Sequence, residues 1–236
     1  LNELIASISI VHRMIETRAF VGFRRLVGGD LPILTTDEDI VDLKSNLSIN
    51  TMNWLPAYQS KGEGIFIDFN SDAIKKWTEN DFTKSRITKM ELNYNKDMIN
   101  RSGEEKNLNP AYPLVHTFSH LLIEKLSYYC GYGSASIKEK IYTNLSIDDN
   151  INMNGLLIYT IGGGDGSLGG LSSLASSNAL EKIIIESLID IIWCSSDPIC
   201  MESEGQGNGL CNLAACHNCL LVSETCCESF NILLDR

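Results

Sequence analysis

Residues 194–227 read CSSDPICMESEGQGNGLCNLAACHNCLLVSETCC, and this stretch decides how the chain is held together. Cys216-His217-Asn218-Cys219 is a CxxC knuckle, a turn that puts two sulfurs on one side of a tight loop, at the separation a tetrahedral Zn²⁺ requires. One thiolate upstream and one downstream complete a shell. The expected ligands are Cys200, Cys216, Cys219 and Cys227, with spacing C-x15-C-x2-C-x7-C. Cys227 is preferred to Cys226 because the Glu after it opens the next segment, and Cys200 is preferred to Cys194 or Cys211. His217 lies inside the knuckle, but its side chain should point outward. Free thiols in such density are a liability without a ligand. Buried unliganded cysteines and an iron–sulfur site are the competing readings. A closed structural zinc site is the expectation.

The rest of the composition sets the background. A chain of 236 residues, 44% hydrophobic and 21% charged, can bury one large core or two modest ones. No apolar run reaches the roughly 20 residues of a membrane span. The most apolar stretch, around Ile183–Trp193, is interrupted by Glu186 and Asp190. The opening LNELIASISIVHRMIE carries charges where a secretory leader would be apolar. Starting at Leu1 in mid-pattern, it reads as a fragment or as one chain of a larger assembly. Eight cysteines without such a leader point to a reducing, cytoplasmic setting in which clustered thiols bind metal.

Charge is unevenly shared. Residues 1–110 carry 14 Lys and Arg against 16 Asp and Glu, whereas residues 111–236 carry 5 against 14. So acidic a half repels a polyanion. The basic cluster is Arg13, Arg18, Arg24 and Arg25, so any nucleic-acid contact is expected there, with a partner supplying further charge.

Along the chain, the first thirty residues look like a helix or a strand pair ending at Gly28-Gly29-Asp30. Ile65–Phe69 alternates apolar residues as a strand does, and a short helix is expected around Ala73–Trp77. The polar stretch NYNKDMINRSGEEKNLN, residues 93–109, reads as an exposed loop and the best subdomain boundary. After it, Val115, Phe118, Leu121, Leu122 and Leu126 have helical spacing, starting at Pro113 and stopping before Gly131. Gly155–Thr160 and Ile141-Tyr142 are strand material, a second helix spans 179–193, and a short helix closes the chain at Phe230–Arg236. The expected fold is α/β or α+β: a small sheet flanked by helices, with a zinc-stabilised C-terminal cysteine lobe. Two units are expected, 1–108 with the basic cluster and 109–236 with the zinc site.

Two further features need weighing. His116 and His120 are spaced i, i+4 on one side of the expected helix, as in metal-binding HExxH helices, but here the residues between are Thr, Phe and Ser. The expectation is an architectural pair hydrogen-bonded to the glycine loop at 162–170. That loop, GGGDGSLGGL at 162–171, lacks the Gly-Lys-Ser/Thr ending of a phosphate-binding loop, which argues against ATP hydrolysis by this chain. No G-x-S-x-G elbow or protein-kinase motif set is present. The rival reading is a hydrolase, such as a metal-dependent nuclease, built on His116, His120 and Asp165.

The motifs together carry a resemblance. HTFSHLLI, CGY with SIKEKIY, GLLIYT, DGSLGGL, WCSSDPIC, NLAACHNCLLVSETCCE and the closing LDR resemble the DrmB family of the DISARM anti-phage systems. They fall in that family's C-terminal region, which is similar to the helicase-associated MrfA-type zinc-binding (MZB) domain. RAFVGFRRL, WLPAYQSKGEGIFIDF and IKKW extend the resemblance over nearly the whole chain. It implies that 109–236 is an MZB-like domain whose zinc role falls on Cys200, Cys216, Cys219 and Cys227. It further implies a noncatalytic subunit that partners a DrmA-like, helicase-type ATPase and engages DNA through the complex.

Overall fold

A computed structural model describes residues 3–22, 47, 53–101, 103–133, 135–147, 153–162, 168–177 and 179–236. Its centre is an antiparallel sheet of order β1-β2-β4-β3, built from β1 (Ile5–Ala19), β2 (Ala57–Phe69), β3 (Ile137–Ile141) and β4 (Gly155–Gly162). With the helices segregated around an antiparallel sheet, the fold is α+β. β1 is a strand throughout, resolving the first-thirty-residue ambiguity as far as residue 22.

Register follows from the apolar alternation. Ile65 of β2 lies opposite Ile158 of β4, and Ile67 lies opposite Leu156, so all four side chains enter one buried face. The close approach of these strands uses Gly64, where an added Cβ would stand 2.8 Å from the Ile158 carbonyl oxygen. The sheet takes two strands from before residue 108 and two from after it. One apolar core runs continuously from Ile65 and Met90 to Leu156 and Ile232.

The helices are α1 (Ser71–Thr78), α2 (Asp81–Asn100), α3 (Ala111–Cys130), α4 (Gly170–Ala175) and α5 (Ala179–Asp190). Helix α3 lies on the sheet with Val115, Phe118, Leu122 and Leu126 buried, and the Phe118 ring meets Phe69 edge-on at 5.4 Å. It begins two residues before Pro113. A proline is harmless there, because first-turn N–H groups have no helical partner. It ends at Gly131 in the left-handed conformation, φ 68°.

Two expectations are corrected. The first eight residues of the polar stretch expected as a loop, 93–100, belong to α2, a 20-residue helix, whereas 101 and 103–109 lie outside any helix. Thr83, Ile87, Met90, Tyr94 and Met98 form a narrow buried stripe among polar residues, enough to dock the helix without a strongly apolar sequence. The expected terminal helix is absent: Phe230, Asn231 and Leu233 have positive φ angles of 51°, 58° and 63°. Asn212 and Asn231 organise that segment instead. Leu234 N–H donates to Asn212 Oδ1 at 2.9 Å, and Val222 N–H donates to Asn231 Oδ1 at 2.9 Å.

Candidate metal centre

Four cysteines converge where the chain leaves α5. Cys194 lies four residues beyond the end of the helix, and its N–H donates to Asp197 Oδ2 at 2.9 Å, bending the chain into a turn that brings Cys200 back. Met201 N–H caps the same carboxylate at 3.2 Å. The knuckle closes through Cys219 N–H and Leu220 N–H, which donate to the Cys216 carbonyl at 3.1 and 3.0 Å. Sulfur separations are 3.6 Å for Cys194–Cys216, 3.7 Å for Cys216–Cys219 and 3.8 Å for Cys200–Cys219. A tetrahedral ion with 2.3 Å bonds to sulfur needs edges of about 3.8 Å. All four sulfurs lie within 4.8 Å of one another. The residues present fit a tetrahedral metal.

The electrostatics agree. Burial raises the Cys216 thiol, but the Asn218 N–H and the neighbouring thiols outweigh it and bring the group down to about 7. Burial holds Cys200 and Cys219 above the ordinary thiol range. Cys216 is thus the thiol whose surroundings most favour the ionised form that binds a cation. Beside them lies Arg236, its side chain 1% exposed and ion-paired with Asp197. Its Nη1 also donates to the Ile191 carbonyl at 3.1 Å. Its positive charge offsets a four-thiolate site that would carry net −2 with a divalent ion.

This set overlaps the expected one without matching it. Cys200, Cys216 and Cys219 come together with Cys194, the residue weighed as an alternative to Cys200. Cys227 lies elsewhere, its sulfur 3.1 Å from His116 Nε2. The reason is the Asp197 turn, which brings Cys194 and Cys200 to the knuckle together, a closure that linear spacing does not disclose. Cys226 and Cys211 are buried outside the group, and His217 is exposed.

Cys227 belongs to a second buried group with His116, His120 and Glu139. The expectation that the histidines bond the glycine loop is corrected by the partners observed. His120 Nδ1 donates to the Leu220 carbonyl at 2.8 Å, and His116 Nε2 lies 3.2 Å from Glu139 Oε1. Residues 163–167 of the loop, including Asp165, lie outside the described residues, and so do Arg24 and Arg25. Glu139 was not singled out from sequence, although a signal existed. In Ile137-Lys138-Glu139-Lys140-Ile141 the period-2 alternation puts Glu139 on the same inward face as the two isoleucines. Burial alone would raise its carboxyl, but His116 and His120 hold it well below the usual range. Burial lowers His116, against the pull of the Glu139 carboxylate, which works to raise it.

The basic residues are split. Arg13 and Arg18 stand exposed on β1 at the end of the strand order, and Arg18 is ion-paired with Glu16 at 2.5 Å.

Comparison with known proteins places this geometry. Residues 118–220 match the family model of the MrfA Zn-binding domain, a span that contains Cys194, Cys200, Cys216 and Cys219. The chain is 40% identical over 231 residues to the DISARM protein DrmB of Bacillus paralicheniformis. The aligned stretch is 95% of this chain and 39% of that relative, so the chain spans about two fifths of the relative's length.

Proposed function

We propose that this chain is the zinc-binding part of a DISARM-type anti-phage protein, a noncatalytic module that docks on a helicase-like, DrmA-like ATPase and helps the complex engage DNA. The observation that carries it is the four-sulfur geometry: Cys194, Cys200, Cys216 and Cys219 at tetrahedral edge distances. A Zn²⁺ held there would cross-link the end of α5 to the knuckle and staple a segment rich in turns, supplying stability rather than chemistry. Four protein ligands leave no open position for a substrate.

The accessory role is supported by the surface beside the centre. Ile192, Trp193 and Ile199 are 71%, 70% and 83% exposed around Cys194. Grouped apolar exposure of this kind marks a protein-binding face. The acidic half disfavours direct DNA contact, so DNA is assigned to the partner together with Arg13, Arg18, Arg24 and Arg25. Among the described residues, no helix is long and apolar enough to cross a membrane. None of the eight cysteines is paired in a disulfide.

The hydrolase reading has less support. His116 and His120 have fully buried side chains, and their buried neighbours are Glu139 and Cys227. Side chains with no solvent exposure offer a substrate phosphate no contact in this fold. The test is a native-locus pull-down combined with metal analysis. The proposal expects a co-purifying ATPase, bound zinc, and loss of the ATPase in Trp193→Glu. Metal-dependent nuclease activity of the isolated chain, abolished by His120→Gln, would instead establish the hydrolase.

A further inference from the structure

We propose that His116, His120, Glu139 and Cys227 form a second structural zinc site, distinct from the four-cysteine centre and closed to solvent. The four come from three places in the fold. The histidines sit one turn apart on α3, Glu139 points inward from β3, and Cys227 lies in the loop after the knuckle. Their ligand atoms all lie within 4.8 Å of one another. Zinc bonds of about 2.0–2.2 Å to nitrogen and oxygen and about 2.3 Å to sulfur imply edges of about 3.4 Å between N and O and about 3.6 Å between N and S. The observed separations are 3.2 Å for His116 Nε2–Glu139 Oε1, 3.7 Å for His120 Nε2–Glu139 Oε1 and 3.1 Å for His116 Nε2–Cys227 Sγ.

Hydrogen bonding makes the case sharper. The Leu220 carbonyl can only accept, so His120 Nδ1 carries the proton of that 2.8 Å bond. In the neutral ring Nε2 is then a bare lone pair. It is buried, has no hydrogen-bond partner, and is aimed at a carboxylate oxygen that is also an acceptor. Two acceptors facing one another in the interior call for a cation between them. An imidazole whose second nitrogen donates to a backbone carbonyl is also the usual posture of a metal-ligating histidine.

The remaining ligands are held in the same manner. Glu139 accepts from Ser119 Oγ and, at 3.0 Å, from Glu228 N–H. Cys227 Sγ accepts from Ser229 N–H at 3.3 Å and Asn231 N–H at 3.2 Å, donors suited to a thiolate. Charge closes as well. A divalent ion with one carboxylate, one thiolate and two neutral imidazoles is net neutral, whereas a buried carboxylate without it relies on hydrogen bonds alone. The thiolate disfavours magnesium and calcium, and the closed mixed set suits zinc. The MrfA-type match at 118–220 contains neither His116 nor Cys227.

The site would pin the 219–231 loop to α3 and β3, and through Leu220 it adjoins the knuckle ligand Cys219. The test is native mass spectrometry of the metal-replete chain with X-ray absorption at the zinc edge. Two zinc ions per chain are expected, with about 2.5 sulfurs and about 1.5 nitrogens or oxygens per zinc on average. Cys227→Ala and His120→Gln should each drop the count to one, and Cys216→Ser should drop it to one by emptying the other centre. A single zinc in the wild-type chain, surrounded by sulfur alone and retained in Cys227→Ala, overturns the second site and leaves the four-cysteine centre standing. If either variant fails to fold, the wild-type count and ligand average decide by themselves.

Discussion

Cys194 and Cys226 are both buried cysteines at 2% exposure, yet their sulfurs have different surroundings. Cys194 meets Cys216 at 3.6 Å, whereas Cys226 contributes its backbone carbonyl to Glu139 N–H at 3.0 Å and stays outside both ligand groups. Cys194→Ser should therefore release zinc and destabilise the segment by several kcal/mol, since metal-binding energy is folding energy at such sites. Cys226→Ser should keep its metal. Elemental analysis with thermal melting separates the two, and zinc retained in Cys194→Ser refutes the assignment. Glu63 gives a second test at this scale. Its buried carboxylate accepts from Leu171 N–H at 2.9 Å, Ser172 Oγ at 2.6 Å and Tyr132 Oη at 3.1 Å, tying β2 to α4 just after the glycine loop. Burial works to raise this carboxyl, but the donors win and its value is lowered. A lowered folded value means that the stabilisation is complete above the ordinary carboxylate range, about 4.3, and fades as pH falls through the folded value. Wild type should exceed Glu63→Gln by about 1–3 kcal/mol at neutral pH. The gap should shrink in urea melts near pH 3.5, and the comparison cancels the acid lability of metal thiolates that both proteins share. A gap that does not change with pH contradicts the ionised-carboxylate reading.

Among the elements, α2 shows how little apolar surface a helix needs when its stripe is aligned. Met90 is fully buried, and Leu92, two residues away, is 67% exposed. Asn80 caps the start by accepting from Phe82 N–H at 2.9 Å. Far along the chain, Arg86 holds Asp235 with two hydrogen bonds of 2.5 and 2.6 Å, fastening α2 to the C-terminal segment. Met90→Ala should cost about 2–5 kcal/mol, as large-to-small core changes do. Leu92→Ala should stay within about 0.5 kcal/mol, the range of surface changes. Equal effects in denaturant melts would mean that the stripe is not what docks this helix.

For the whole molecule, the division of charge sets where the proposed DNA contact is expected. The half carrying the metal ligands has a deficit of nine positive charges, and the basic residues cluster before residue 26. Arg24→Glu with Arg25→Glu should weaken DNA binding by the assembled complex. It should also flatten the logarithmic salt dependence by about 0.9 for each phosphate that is no longer neutralised. Filter binding across a salt series measures both. Binding that ignores this double change yet collapses on substitutions within 111–236 would place the DNA surface on the other half.

The sequence by itself determined the elements whose periodicity is strong and local. Phe118, Leu122 and Leu126 announced α3, Ile65 and Ile67 announced β2, and Gly131 marked where α3 stops. It also announced the CxxC knuckle, because two ligands three residues apart are fixed by a single turn. Helix α2 escaped because a one-in-four buried stripe hardly colours a polar sequence. The pairing of ligands was a tertiary decision. The Asp197 turn carries Cys194 back to the knuckle, while the loop after it carries Cys227 to His116 and Glu139. Linear spacing counts residues between sulfurs, but a metal senses only distances of a few ångströms. Those distances were set by how α3, β3 and the C-terminal loop pack around one core.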